Sequence, residues 1–147
     1  MSGGVSEGVI AESSADVRTE VDRFLREFGQ MGPIGSDEKI FVLRDEGALI
    51  GCVRRVEESG AFVLRSLLIH PRHRGNGLGE RLVRALVSAS ARPVYCLAYD
   101  HLTGWYSTMG FRLVGDADMP RRLAMRKNSL RLQGVSVVCL VYHPSEA

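Results

Sequence analysis

A glycine-rich segment, Arg74-Gly75-Asn76-Gly77-Leu78-Gly79, constrains the fold of this 147-residue chain more than any other feature. The apolar run over residues 61–69 predicts a strand before it, and apolar positions at helical spacing over 78–90 predict a helix after it. A glycine turn between a strand and a helix leaves several backbone N–H groups without partners, and the helix dipole adds a field that favours negative charge. The segment therefore predicts an anion site that suits a phosphate.

Length and composition predict one domain over residues 9–147, preceded by a disordered Gly- and Ser-rich tail at residues 1–8. No apolar run approaches the roughly 18 residues that span a bilayer, and the N-terminus lacks a signal-peptide pattern. We therefore expect a cytoplasmic protein without a membrane partner. Cys52, Cys96 and Cys139 lie singly in apolar segments, which predicts buried free thiols and no metal site.

The net charge of +2 is unevenly distributed along the chain. Residues 1–58 carry 12 acidic and 7 basic side chains, whereas residues 59–147 carry 5 acidic and 12 basic ones. Because the basic half contains the glycine-rich segment, the charge favours a polyanionic ligand. A solvated basic face is the alternative. A nucleic acid is the weakest interpretation, and we expect no nucleic-acid partner.

Hydrophobic periodicity and turn residues predict the remaining elements. A short strand at 9–11 precedes a helix that Ser13 or Ser14 caps, and glycines at 29–35 end that helix. The further predictions are strands at 39–44, 48–56, 61–69, 94–98, 111–114 and 135–142, and helices at 78–90, 101–109 and 120–132. This order predicts a mixed α/β fold in a single domain.

Two motifs in this order resemble those of the GCN5-related N-acetyltransferases, the GNAT superfamily. Leu67-Leu68-Ile69-His70-Pro71 followed by Arg74–Gly79 is similar to the family's strand and its Q/R-x-x-G-x-G/A pyrophosphate loop. Tyr106-Ser107-Thr108-Met109-Gly110-Phe111 is similar to the family's Y-x-x-x-G-F. One amphipathic helix and one short strand separate the two motifs, and the resemblance is specific over residues 61–114.

The resemblance implies a twisted, mixed central sheet of about six to seven strands flanked by helices. The fourth and fifth strands, 61–69 and 94–98, splay apart in this family, and acetyl-coenzyme A lies between them. Backbone groups of Leu67, Leu68 and Ile69 would then contact the pantetheine and the acetyl carbonyl. The pyrophosphate would bind at the helix start, where the cofactor-binding residues are Arg74, Gly75, Asn76, Gly77, Leu78, Gly79 and Glu80.

Tyr106 is the candidate acid that protonates the departing thiolate, because its phenol has a reference pKa near 10 and a thiol one near 8.5. The alternative is that its ring only packs beside the cofactor or in the core. The strand 61–69 offers Arg65 and Ser66 in place of the carboxylate that many family members use as a base. Glu57 and Glu58 are interpreted as solvated turn residues, so no base is assigned.

Two further residues have alternative interpretations. Asp100 either contacts the pantetheine, as a polar residue near this position often does in the family, or caps the following helix. Arg65 points either towards an acidic acceptor or outwards to solvent, as strand alternation also allows.

The resemblance implies an N-acetyltransferase that moves the acetyl group of acetyl-coenzyme A to a primary amine by direct attack in a ternary complex. A small-molecule acceptor is favoured, because the chain shows no insert that would build a peptide groove. The alternatives are a protein lysine or N-terminal acetyltransferase and a non-catalytic module that senses acetyl-coenzyme A. The last strand could also pair across a homodimer.

Overall fold

The computed structural model describes residues 8–12, 14–29, 34–35 and 37–144. Its seven strands form one sheet in the order β1-β2-β3-β4-β5-β7-β6, and four α-helices accompany the sheet. The mixed α/β fold class with a seven-stranded sheet is therefore confirmed. The strands are β1 (Ile10–Glu12), β2 (Lys39–Asp45), β3 (Ala48–Glu58), β4 (Ala61–Ile69), β5 (Val94–Tyr99), β6 (Arg112–Leu113) and β7 (Val137–Tyr142).

The helices are α1 (Ala15–Glu27), α2 (Leu78–Ser88), α3 (Thr103–Ser107) and α4 (Arg121–Leu132). Short 3-10 turns lie at Pro71–His73, Asp100–Leu102 and Asp116–Asp118. Among these described residues, no helix combines the length and apolar character needed to cross a membrane.

The chain divides into two compact units. The first comprises the chain up to Val56 together with Arg65–Leu86, and the second comprises Glu57–Leu64 together with the chain from Val87 onward. The expectation of a single domain over residues 9–147 stays a prediction.

The first unit is built around α1. The Ser14 side chain accepts a hydrogen bond of 3.2 Å from the Val17 N–H and so caps this helix, as one of the two predicted caps. Gly29, with a φ of 88°, follows its last turn, as a helix-ending glycine should. The apolar stripe of α1 packs on strand residues in a buried cluster of Val17, Val21, Phe24, Leu25, Ile40, Val42, Cys52 and Leu68.

The second unit is built around β5. This strand pairs antiparallel with β7 over its whole length, from Val94 opposite Tyr142 to Tyr99 opposite Val137. It pairs in parallel with β4 at two positions, Phe62 opposite Val94 and the residues that follow them. Both pairs lie at the beginning of the two strands.

Several predicted boundaries are wrong in their detail. The helix predicted over 101–109 is a 3-10 turn followed by the five-residue α3, and the strand predicted over 111–114 contains only Arg112 and Leu113. The last strand begins at 137 because the chain first closes α4 through Gly134, whose φ is 82°. Residues 1–7 of the tail predicted over 1–8, and residues 30–33 of the predicted loop, lie outside the described residues.

Candidate active site

The chain leaves β4 through a turn that hydrogen bonds fix on both sides. The His70 N–H donates to the carbonyl of Ile50 in β3 at 2.7 Å. The imidazole Nδ1 of His70 accepts from the Arg72 N–H at 3.1 Å, and the His73 N–H donates to the His70 carbonyl at 2.8 Å. These bonds hold the start of the glycine-rich loop against the end of the strand.

The loop adopts the backbone conformation that its glycines predict. Gly75 and Gly77 have φ values of 83° and 75°, in the left-handed region that other residues rarely occupy. A Cβ atom added at either position would meet no heavy atom within 4 Å. Backbone conformation, and not lack of space, therefore explains why glycine stands at these two positions.

The start of α2 presents unpartnered backbone donors. Within the described part of the chain, the first N–H group of residues 75–81 with a carbonyl partner is that of Arg81, which donates to Gly77 at 3.2 Å. Residues 74–77 are exposed, whereas Leu78 is buried and anchors the first turn of the helix. Several exposed N–H groups at the positive end of a helix dipole form an anion-binding geometry.

The polar side chains of this segment are engaged with the loop or with the helix itself. Arg74 Nε donates to the carbonyl of Ile69 at 3.1 Å, which brings two predicted cofactor-binding residues into direct contact. Asn76 Nδ2 donates to the carbonyl of His73 at 3.2 Å. Glu80 accepts from Arg84 Nε at 2.8 Å on the exposed face of α2. The Glu80 carboxylate therefore has its own cation one helical turn away.

Ser66 has a left-handed backbone in the middle of β4, with a φ of 57°. Such a conformation is uncommon for a residue with a Cβ atom and stores roughly 1–3 kcal/mol of strain. Two side chains of β3 bind it: Arg54 Nε donates to the Ser66 hydroxyl at 3.1 Å, and the Cys52 thiol donates to its carbonyl at 3.8 Å. This conformation was not predicted, because its only signal in the sequence is a polar pair, Arg65-Ser66, inside an apolar run.

Tyr106 lies in α3 with 4% of its surface exposed. Its ring makes edge contacts with Trp105 and Phe111, at centroid distances of 4.9 Å and 5.3 Å. Burial raises the pKa of Tyr106 far above its usual value, and the Cys96 thiol of β5 adds to that rise. Burial likewise raises the pKa of Cys96 to about 12, although the Tyr106 side chain opposes that rise.

The raised pKa of Tyr106 has two consequences for acid catalysis. The phenol keeps its proton at every physiological pH, as an acid must before it acts. It is also a weaker acid in this environment than an exposed phenol would be. In this structure the Tyr106 ring packs in the core, as one of the two interpretations predicted. Its role as an acid stays a prediction.

Asp100 is exposed at the start of the 3-10 turn that precedes α3. Its carboxylate accepts from the Ser136 hydroxyl at 2.9 Å, and its carbonyl accepts from the Thr103 hydroxyl at 2.8 Å. The N-cap position of α3 belongs to Leu102, which makes no side-chain capping bond. The interpretation of Asp100 as the cap of this helix is therefore wrong, because the side chain binds the residue just before β7.

The family of the chain follows from its match to a family model. The model described as "Acetyltransferase (GNAT) domain" matches residues 36–113, which is more than half of the chain. The chain belongs to the GNAT acetyltransferase family. No curated protein matches the sequence at a significant level.

Solved GNAT structures share the fold of this domain. N-acetylglutamate synthase from Neisseria gonorrhoeae, complexed with coenzyme A and N-acetyl-glutamate, matches 94% of this chain with 20% identity and a TM-score of 0.63. This GNAT domain spans only 35% of that chain. Rv2747 from Mycobacterium tuberculosis, in complex with coenzyme A, matches 91% of this chain and 98% of its own at 13% identity, with a TM-score of 0.67.

A GNAT-family acetyltransferase from Staphylococcus aureus matches 93% of this chain and 98% of its own, with 12% identity and a TM-score of 0.64. At such identities the likeness to these structures establishes the fold. Among residues 8–12, 14–29, 34–35 and 37–144 of this GNAT domain, no group of three or more His, Cys, Asp and Glu side chains is placed to hold a metal ion.

The two glutamates before β4 have different environments in this GNAT domain. Glu57 forms an ion pair with Arg92 at 2.8 Å, and both side chains are about half exposed. Glu58, at the end of β3, is only 7% exposed and accepts a hydrogen bond from Arg126 of α4. The interpretation of Glu58 as a solvated turn residue is therefore wrong, since β3 continues two residues further than predicted and α4 supplies a cation.

Proposed function

We propose that this GNAT domain transfers the acetyl group of acetyl-coenzyme A to the primary amine of a small molecule, by direct attack in a ternary complex. One observation supports this most strongly. In a chain of this family, the loop before α2 holds Gly75 and Gly77 at positive φ, and N–H groups at the helix start have no carbonyl partner among the described residues. A pyrophosphate is the anion that this family's loop binds, and the donor set fits it.

The binding roles in the proposal follow the chain from β4 to α2. Backbone groups of Leu67, Leu68 and Ile69 contact the pantetheine and the acetyl carbonyl. The N–H groups of residues 75–80 bind the pyrophosphate, with Arg74 beside them. A backbone N–H directed at the carbonyl oxygen stabilises the charge that develops there, and removal of one such donor typically lowers the rate about 10²–10³-fold. Asp100 contributes a polar contact to the pantetheine.

The proposed reaction moves one proton to the leaving thiolate and one from the attacking amine. The amine nitrogen forms a bond to the acetyl carbon, the carbon–sulfur bond breaks, and Tyr106 gives its proton to the departing thiolate. The attacking nitrogen gives a proton to water, because β4 carries no carboxylate between Ala61 and Ile69. Tyr106 then regains a proton from solvent after the product leaves.

The proposed acceptor is a small molecule and not a protein. The Neisseria gonorrhoeae relative was solved with N-acetyl-glutamate, which is an acetylated small-molecule amine. The loops of the described chain that join β4, α2 and β5 are short, and they contain no insert that could form a peptide groove. Both observations favour a compact acceptor over a protein tail.

The test is a panel of amines incubated with the full chain and acetyl-coenzyme A, with the released thiol followed over time. The panel contains amino acids, polyamines, amino sugars, a lysine-containing peptide and a peptide with a free N-terminus. Acetylation of a small amine supports the proposal. Acetylation of the peptides alone would indicate a protein acetyltransferase, and tight binding of acetyl-coenzyme A without any acetylation would indicate a sensor.

The role of Tyr106 is tested separately by Tyr106→Phe. Loss of a general acid should lower kcat about 10²-fold with little change in the KM for acetyl-coenzyme A. Tyr95→Phe is the matched control. This half-buried tyrosine of β5 precedes Cys96 and packs against a buried cluster of Val63, Leu123 and Cys139. Equal kcat values for the two variants would assign Tyr106 to packing alone.

A further inference from the structure

A network of polar contacts in the first unit extends to Ser66, the left-handed residue of β4. Arg54 of β3 is 3% exposed, and the Glu38 side chain that binds its Nη1 is 9% exposed. The second oxygen of Glu38 accepts from the Gly35 N–H at 2.7 Å. On its other side, Arg54 Nε donates to the Ser66 hydroxyl at 3.1 Å.

A buried ion pair of this kind is a weak source of stability. Two charges lose their hydration on burial, and replacing such a pair with apolar side chains is often neutral or stabilising. An apolar side chain would suit the position of Arg54, because it lies on the same face of β3 as Cys52. Cys52 belongs to the buried apolar cluster with α1. A role in fixing geometry accounts for the pair better than a role in stability does.

The geometry that Arg54 fixes is that of Ser66. Cys52 and Arg54 lie on the same face of β3, and between them they bind the carbonyl and the hydroxyl of this serine. A non-glycine residue stays in the left-handed region only where its surroundings over-determine it. The conformation of Ser66 sets the direction of the peptide groups that follow it, beginning at Leu67.

We propose that Arg54, held in place by Glu38, is a positioning residue that locks Ser66 in its left-handed conformation and so aims the backbone of Leu67–Ile69 at the acyl group. This inference rests on the proposed function, since those backbone groups are the ones that we propose to contact acetyl-coenzyme A. Arg54 itself does not touch the substrate in this proposal and acts through Ser66.

The decisive variant removes both charges together, as Glu38→Gln with Arg54→Met, because removal of one partner alone would leave a buried unpaired charge. The expected result is a loss of about 10²-fold in kcat for the folded protein, since a misplacement of about 1 Å at a reacting group can cost that much. The matched control is Glu20→Gln with Arg44→Met, which removes a two-bond ion pair between α1 and β2 in the same unit, together with the longer contact of Arg44 with Glu12 at 3.4 Å. This control should keep kcat within about twofold of the parent value.

A second pair of variants separates positioning from stability. Glycine adopts positive φ without support, so Ser66→Gly should retain most activity and should make removal of the Glu38–Arg54 pair several-fold less damaging to kcat. Ser66→Ala, which removes only the hydroxyl, should lower kcat and remains informative if the double variant fails to fold. If removal of the pair costs kcat equally in the serine and glycine backgrounds, Arg54 does not act through Ser66.

Binding measurements distinguish this inference from the proposed function. Calorimetry with acetyl-coenzyme A and with coenzyme A should show that the parent protein prefers the acetylated form and that the charge-removed variant loses this preference. A parent protein that binds neither compound would overturn the proposed function. A parent that binds and turns over, together with a variant that retains both the preference and kcat, would overturn the positioning role alone.

Discussion

The loop before α2 can be tested by replacing Gly77 with alanine. The added Cβ meets no heavy atom within 4 Å, so the substitution changes only the preference of a backbone whose φ is 75°. The left-handed conformation costs an alanine roughly 1–2 kcal/mol. Reduced freedom of the unfolded chain offsets roughly 0.4–1 kcal/mol of this cost. The net penalty for holding the native loop is therefore about 1 kcal/mol.

This penalty lowers either the free energy of unfolding or the affinity for coenzyme A. If the variant keeps the native loop, the melting temperature falls by roughly 2–4 °C in a chain of this size. If the exposed loop relaxes towards negative φ, its N–H groups turn away from the anion site. Ligand binding must then restore the native loop conformation, and this cost weakens the affinity. Since residues 74–77 are exposed, we expect relaxation and a rise of about fivefold in the Kd for coenzyme A.

Calorimetric titration with coenzyme A and thermal denaturation are the two assays. Gly134→Ala is the matched control, because Gly134 follows α4, has a φ of 82° and likewise leaves an added Cβ without a neighbour within 4 Å. The control should lose stability by a similar amount and bind coenzyme A as the parent does. The reasoning fails if Gly77→Ala matches Gly134→Ala in both affinity and stability.

Two further predictions concern stability. A Cβ at Gly51 would lie 2.9 Å from Ile69 Cδ1 and 3.2 Å from Leu82 Cδ1, so Gly51→Ala should lower the free energy of unfolding by about 1 kcal/mol. Adding Ile69→Val removes the first of these methyl groups and should restore part of that loss in a double-mutant cycle by urea denaturation; additive effects would show that the contact is not the cause. Burial raises the pKa of Cys52 and Cys96 to about 12, while an unfolded thiol titrates near 9, so stability is complete below pH 9 and falls as the pH rises towards 12. The free energy of unfolding should drop by about 1 kcal/mol per thiol between pH 9 and 10, and Cys52→Ala should show a smaller drop; parallel pH profiles for this variant and the parent would contradict the assignment.

Features that depend on near neighbours in sequence were predicted well. The Ser14 cap, the helix-ending Gly29 and the positive φ of Gly75 and Gly77 each follow from residues within one turn of the feature. The buried free thiols at Cys52, Cys96 and Cys139 follow from the apolar segments around them and are confirmed. Local backbone chemistry restricts such positions almost regardless of the rest of the fold.

Features that depend on distant partners were not predicted. Glu58 is buried because Arg126, 68 residues later in the chain, supplies a counter-charge. Asp100 binds Ser136 rather than the helix next to it, across 36 residues. The bounds of short elements were mispredicted for the same reason, since the two-residue β6 is defined by its pairing with β7. No pattern within a few residues of these positions encodes their partners.

The sequence by itself determined the family and the conformation of the glycine-rich loop, because the glycines of Arg74–Gly79 and the spacing to Tyr106–Phe111 are local and specific, and the family match over residues 36–113 agrees with them. Only the tertiary structure decided that β4 turns left-handed at Ser66, that Cys52 and Arg54 bind this residue, and that Glu38 pairs with Arg54. It also decided that Tyr106 and Cys96 are both buried, which raises the pKa of each group. The physical reason is that a loop conformation is restricted by its own residues, whereas strain and buried charge persist only through contacts that folding brings together.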